Sequence, residues 1–103
     1  MKLGLFHILQ QPAGKSASQV YADNLEQFRV ADELGFYEIF LGEHRISQYG
    51  TLPNPLVLAG AISQVTKRIR IGTAVVIPAF SHPVRVAEEA AMVDVLTGGR
   101  FDL

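Results

Sequence analysis

Strands and helices alternate along this chain, and the alternation predicts an α/β fold with a parallel sheet. Three observations carry that reading. Short apolar runs punctuated by glycine or proline recur four times, and longer segments with apolar residues at helical spacing separate them. Each longer segment also opens on a polar or proline-containing start and closes on glycine or on cations. The order is βαβαβα followed by the opening of another strand, which implies right-handed crossovers. Two architectures fit: part of a (β/α)8 barrel, or a small doubly wound sheet. A complete barrel takes about 250 residues, and this chain has 103.

Leu3 to Leu9 is the first strand, apolar on both faces as a covered parallel strand would be. A polar loop follows, Gln10-Gln11-Pro12-Ala13-Gly14-Lys15-Ser16. Its Gly-Lys-Ser is not a phosphate loop, because Leu9 stands where that motif needs its earlier glycine. A helix is predicted from near Ser18, with Ala22, Leu25, Phe28, Ala31 and Leu34 as its apolar stripe. Asp23, Glu26, Arg29 and Glu33 lie off that stripe, and Gly35 closes the helix in the left-handed conformation.

Tyr37 to Leu41 is the second strand, and Glu43 to Pro53 reads as a loop. Asn54-Pro55 then opens a helix, with asparagine capping free amides and proline suited to the first turn. That helix, to about Thr66, is apolar almost all round, so it needs covering on more than one side. Gly60 between Ala59 and Ala61 would admit a close neighbour, in a subunit interface or a larger domain.

Ile69 to Ile77 is the third strand, and the small residues Gly72-Thr73-Ala74 inside it mark a bulge or a close approach to a ligand. Ser81-His82-Pro83 starts a third helix running to about Thr97, with His82 as cap and Arg85 paired to Glu88 or Glu89. Gly98-Gly99 ends it, and Arg100-Phe101-Asp102-Leu103 opens the fourth strand. No internal boundary is expected within residues 1–103.

The chemistry-bearing stretch is Glu43-His44-Arg45, immediately after the second strand. Parallel α/β folds bind ligands at the carboxyl ends of their strands. An acid, a base that ordinarily titrates near neutrality and a fixed cation follow one another there. The bland alternative is a solvated loop.

Composition limits the function. The net charge of −1 offers no nucleic-acid surface. The absence of cysteine excludes disulfides and thiolate metal sites, and no metal site of another kind is expected. No apolar stretch approaches the roughly 20 residues that span a bilayer. The run Met1 to Phe6 is interrupted by His7 and then by Gln10-Gln11-Pro12, short of a signal peptide. A cytoplasmic protein without membrane partners is the expectation.

Seven stretches add a further signal: Met1-Lys2-Leu3-Gly4-Leu5-Phe6, Gly35-Phe36, Leu41-Gly42-Glu43-His44, Asn54-Pro55, Ile71-Gly72-Thr73-Ala74-Val75, His82-Pro83-Val84-Arg85 and Leu96-Thr97-Gly98-Gly99-Arg100-Phe101. Together, in this order and over the whole chain, they resemble the amino-terminal part of the bacterial luciferase-like, flavin-dependent monooxygenase family. That resemblance implies a partial (β/α)8 barrel, comprising the first three βα units and the start of strand four. It also implies an enzyme that uses reduced FMN and dioxygen to oxygenate a small organic substrate such as an aldehyde or alkane derivative. A flavin reductase would supply the reduced flavin. A sister branch of the fold uses the deazaflavin F420 for hydride transfer, and the Glu43-His44 pair resembles the luciferase side more. By the same resemblance His44 would sit beside flavin and substrate as base or proton donor, with Glu43 orienting or tuning it. Ala74-Val75 would be the bulged, often cis, non-prolyl peptide that supports the isoalloxazine ring. Phe6 is a candidate pocket wall, with a plain core position as the alternative. The flavin phosphate would be held by later loops. The second and third helices would form a homo- or hetero-oligomer contact. A truncated, non-catalytic subunit that dimerises through its apolar helices is the reading from a different class.

Overall fold

The computed structural model describes all 103 residues, Met1–Leu103. In chain order they form β1 (Gly4–His7), α1 (Ala17–Leu34), β2 (Glu38–Leu41), β3 (His44–Ser47), β4 (Gly50–Leu52), α2 (Pro55–Val65), β5 (Arg70–Thr73), a 3-10 turn (Pro78–Phe80), α3 (Pro83–Thr97) and β6 (Phe101–Asp102). The main sheet runs β1-β2-β5-β6, parallel at every step, and β3-β4 is a separate antiparallel hairpin. Sequential order in one direction is how a barrel wall grows. It excludes the doubly wound alternative, whose strand order reverses at a switch point.

Local chemistry explains the helix ends. The Ser16 hydroxyl accepts the Gln19 amide while the Gln19 side chain accepts the Ser16 amide, a reciprocal capping box. Asn54 Oδ1 accepts the amides of Leu56 and Val57, with Pro55 at the first helical position. His82 Nδ1 accepts the Val84 amide at 3.3 Å, so the expected cap is in place. Gly35 and Gly98 end α1 and α3 at φ 81° and 66°, where only glycine is unstrained. Arg85 forms no ion pair with Glu88 or Glu89, contrary to expectation; the cation pairs of the chain lie elsewhere.

The core lies between the sheet and the helices. Ile39, Leu41, Ile69 and Ile71 are fully buried there with Phe28 of α1, Ile62 of α2 and Val93 of α3. Each such side chain contributes about 1.5–3 kcal/mol by leaving water. Two members of the expected α1 stripe miss this layer: Ala22 is exposed, and Leu34 is 72% exposed. Helical spacing locates a face but not where the neighbouring element ends. α2 buries Leu56, Leu58, Ala59 and Ile62 but leaves Val57 71% exposed, with nothing within 4 Å of the space beside Gly60. Its second side is uncovered within this chain. No helix is long and apolar enough to cross a membrane.

Asp32 is the buried charge that periodicity cannot reveal. Its carboxylate accepts the amides of Ile69, Arg68 and Lys67 at 2.6, 2.8 and 3.0 Å, fastening the turn before β5 to the end of α1. Burial pushes this carboxyl up, but the three amides and the Arg68 charge together outweigh it and hold it below its usual value.

Candidate active site

Parallel register sorts the strand residues onto two faces. Partners in the ladder are Gly4 with Glu38 and Arg70, Phe6 with Phe40 and Gly72, and Gly72 in turn with Asp102. These residues look away from the helices, toward what would be a barrel interior. Glycines make room for the rings: a methyl group at Gly72 would lie 3.0 Å from the Phe40 ring, and one at Gly42 would lie 2.9 Å from the Phe6 ring. At the amino ends of the strands, Arg70 clamps Asp102 through Nε and Nη2 at 2.6 and 2.7 Å. Burial and then the Asp102 charge push the neighbouring Glu38 carboxyl up.

The opposite, carboxyl end collects the residues singled out from sequence. Ala74 donates its amide to Leu41 O at 2.8 Å, and Glu43 donates its amide to Val75 O at 3.1 Å. Those two bonds hold Ala74 and Val75 against the end of β2, and the peptide between them is cis. The third strand is shorter than expected, Arg70–Thr73 rather than Ile69 to Ile77, its paired register with β2 ending at Leu41 and Thr73. Phe6 is 61% exposed on the inner face. Its ring lies beside Gly42, at the same rim.

Glu43 is placed differently from expectation. Its side chain is only 2% exposed. One carboxylate oxygen accepts Arg45 Nε at 2.6 Å and Arg45 Nη2 at 2.5 Å, and the other accepts the Ile77 amide at 2.7 Å. Arg45 in turn lies over the Phe80 ring at 4.9 Å. Neither carboxylate oxygen reaches His44 Nδ1, which is buried and has no hydrogen-bond partner. Glu43 thus ties the segment after Val75 to the end of β2 and makes no hydrogen bond to the imidazole.

His44 is held by the hairpin, which occupies the region read as loop from Glu43 to Pro53. The sequence hides it: Ile46 takes φ 53°, and the pairing shifts register between His44 and Ser47. The His44 ring meets Tyr49 edge-on at 5.4 Å between centroids. The segment after β1 anchors the hairpin. Thr51 donates its amide and its hydroxyl to Leu9 O at 3.0 and 2.6 Å, and Gln11 donates its amide to Gln48 O at 3.0 Å. Leu9 itself is buried with φ 53°, a conformation that a branched residue adopts at a cost. Tyr21 of α1 completes the bracing, its hydroxyl donating to Thr51 O at 2.5 Å.

The other strand-end histidine, His7, faces the helices. Its Nδ1 is 2.9 Å from Asn24 Oδ1 and its ring meets Phe28 at 4.7 Å. Burial lowers its pKa against the opposing effect of Asn24. It does not join the rim.

A sequentially ordered parallel sheet with helices on one face, and with Glu43, His44 and Arg45 following the carboxyl end of β2, defines a barrel-type α/β protein. Comparison with known proteins narrows the class. The luciferase-like monooxygenase model matches residues 1–103, and the chain belongs to that family. The oxygenase component of the flavin-dependent trigonelline monooxygenase of Acinetobacter baylyi is 34% identical over 104 residues, covering 100% of this chain and 29% of that protein. Among solved structures, the monooxygenase RslO1 of Streptomyces bottropensis has a TM-score of 0.93 at 37% identity, over 100% of this chain and 32% of that one. The oxygenating constituent of the 3,6-diketocamphane monooxygenase of Pseudomonas putida, in complex with FMN, has a TM-score of 0.92 at 25% identity, over 98% and 28%. An F420-dependent secondary alcohol dehydrogenase fits less closely, with a TM-score of 0.76 at 25% identity, over 97% and 29%. The chain spans less than a third of each of these relatives.

Proposed function

We propose that this chain supplies one arc of the active site of a flavin-dependent monooxygenase that takes reduced FMN and dioxygen and oxygenates a small organic substrate, an aldehyde or alkane derivative. What supports the reading is that, at the carboxyl ends of the strands, Phe6 stands beside Gly42 while Glu43, the neighbour of His44, bonds to Val75 O, in a chain of this family. When bound, the flavin supplies the oxygen chemistry, and the protein supplies position and exclusion of water.

The residues present fit such a group. A flat, largely apolar ring needs an apolar surface without bulk in front of it. Val75 and Phe6 are 62% and 61% exposed at the rim, and Gly42 and Ala74 add little between them. Val75 and Ala74 would support the ring from the sheet side, and Phe6 would close the pocket wall. His44 would hold or deliver a proton through Nε2, since Nδ1 is buried. Glu43 would keep the supporting segment in register through the Ile77 amide. A flavin reductase would deliver the reduced cofactor.

Hydride transfer with F420 is the second reading, favoured by the shared fold of the F420-dependent alcohol dehydrogenase. The closer fit to the monooxygenases ranks it below the first. Oxygen uptake by the intact protein with reduced FMN and a panel of aldehydes tests the choice. Substrate-dependent uptake is expected. Turnover with F420 and none with reduced FMN would reverse the order, and the absence of saturable flavin binding would favour a non-catalytic subunit.

A further inference from the structure

His44 sits against a glycine that the backbone does not require. Gly50 lies outside the left-handed region, so its φ leaves any residue permissible there. The demand is spatial. A methyl group at Gly50 would lie 2.6 Å from His44 Cβ, 2.7 Å from His44 Cγ and 3.1 Å from Ile8 O. Separations under 3.0 Å are essentially never seen for a real Cβ. The obstructing atom is the root of the imidazole side chain, which no rotamer change can move away.

Relief would require the main chain to shift, and the hairpin is bolted down. Thr51, next to Gly50, is fixed to Leu9 O by two bonds and accepts the Tyr21 hydroxyl, while Gln48 accepts the Gln11 amide. We propose that Gly50 is a positioning residue for His44: the room left by its missing side chain sets where the imidazole stands on the rim. The proposal rests on the role given to His44 above.

A cycle of Gly50→Ala, His44→Gly and the double variant tests it in the intact protein. His44→Gly is used because alanine would keep the Cβ that obstructs. Turnover by Gly50→Ala is expected to fall about 100-fold, the scale of a displacement near 1 Å. The double variant should turn over no more slowly than His44→Gly. Most of the melting temperature lost on Gly50→Ala should be absent when the same substitution is made in the His44→Gly background, where of these contacts only Ile8 O at 3.1 Å remains. Proton and nitrogen NMR of the His44 imidazole, assigned by its loss in His44→Gly, should show a displaced resonance in Gly50→Ala.

An unmoved resonance with turnover within about two-fold of wild type would overturn the proposal. So would an equal melting loss with and without His44. If Gly50→Ala does not fold, recovery of folding in the double variant supports the proposal and its failure overturns it. Should His44→Gly keep full turnover, the functional role of His44 fails, while the melting and NMR arms still decide whether Gly50 seats it.

Discussion

The Glu43 carboxylate accepts the Ile77 amide at 2.7 Å across 34 residues of sequence. That bond spans the two stretches that sequence reasoning singles out separately, the acid after the second strand and the small-residue segment after the third. It makes the carboxylate a fastener with Arg45 as its counter-charge. Glu43→Ala leaves the Ile77 amide without its acceptor and should cost about 1–3 kcal/mol. Glu43→Gln keeps an acceptor oxygen and should lose less. Denaturant midpoints of the two variants, with FMN affinity followed by flavin fluorescence, check the order. Equal losses would show that the Arg45 pair, and not the Ile77 bond, matters.

His44→Ala should reduce turnover about 100- to 10,000-fold, the range for removal of a general acid or base. The fold should survive, because the substitution also removes a buried nitrogen that has no partner. Oxygen uptake and a melting curve on the same preparation measure both. Undiminished uptake would remove His44 from the mechanism.

Asp32 predicts an acid-sensitive fold. An unfolded aspartate titrates near about pH 3.9, and in the folded chain the carboxyl is held lower. Between the two values the unfolded state binds more protons, so stability falls as pH drops. The contribution is complete above the unfolded value and is lost as pH falls through the folded one. Asp32→Asn should cost about 1.5–3 kcal/mol at neutral pH, the scale of hydrogen bonds to a charged group. It should also flatten the acid limb of a stability–pH curve. A variant with an unchanged acid limb would place the sensitivity elsewhere.

Each outer strand of the sheet, β1 and β6, has one edge without a partner. Apolar surface at Phe6, Val57, Val75 and Val95 lies open as well. A polypeptide of these 103 residues, made alone, should therefore self-associate or melt without cooperativity. Sedimentation velocity and calorimetry decide this, and a monodisperse, cooperatively melting monomer is the contrary result.

Much of the fold is legible because its signals are local. Ser16, Asn54 and His82 mark helix starts, Gly35 and Gly98 mark ends, and each acts on amides or carbonyls within a turn. The rim is legible in part for the same reason: His44 and Ala74-Val75 follow strands, and strand ends are where parallel sheets work. What escapes is set at long range. Asp32 reads as one more acid near a helix end, yet it is bound to amides 35 to 37 residues on. Glu43 stands beside His44 in sequence, but its carboxylate is committed to Arg45 and Ile77. The β3–β4 hairpin has no alternating pattern to announce it, since Ile46, the one aliphatic residue of β3, is twisted to φ 53° and 104% exposed.

The double bond of Thr51 to Leu9 O, with Gln11 bonded to Gln48 O, has a consequence for engineering. The loop after the first strand and the hairpin after the second are a single cassette, although they are encoded some 40 codons apart. A recombination crossover falling between Gln11 and Gln48 would pair a loop of one ancestry with a hairpin of another, and the histidine would inherit the mismatch. Chimeras meant to retarget this rim should exchange both segments together or neither.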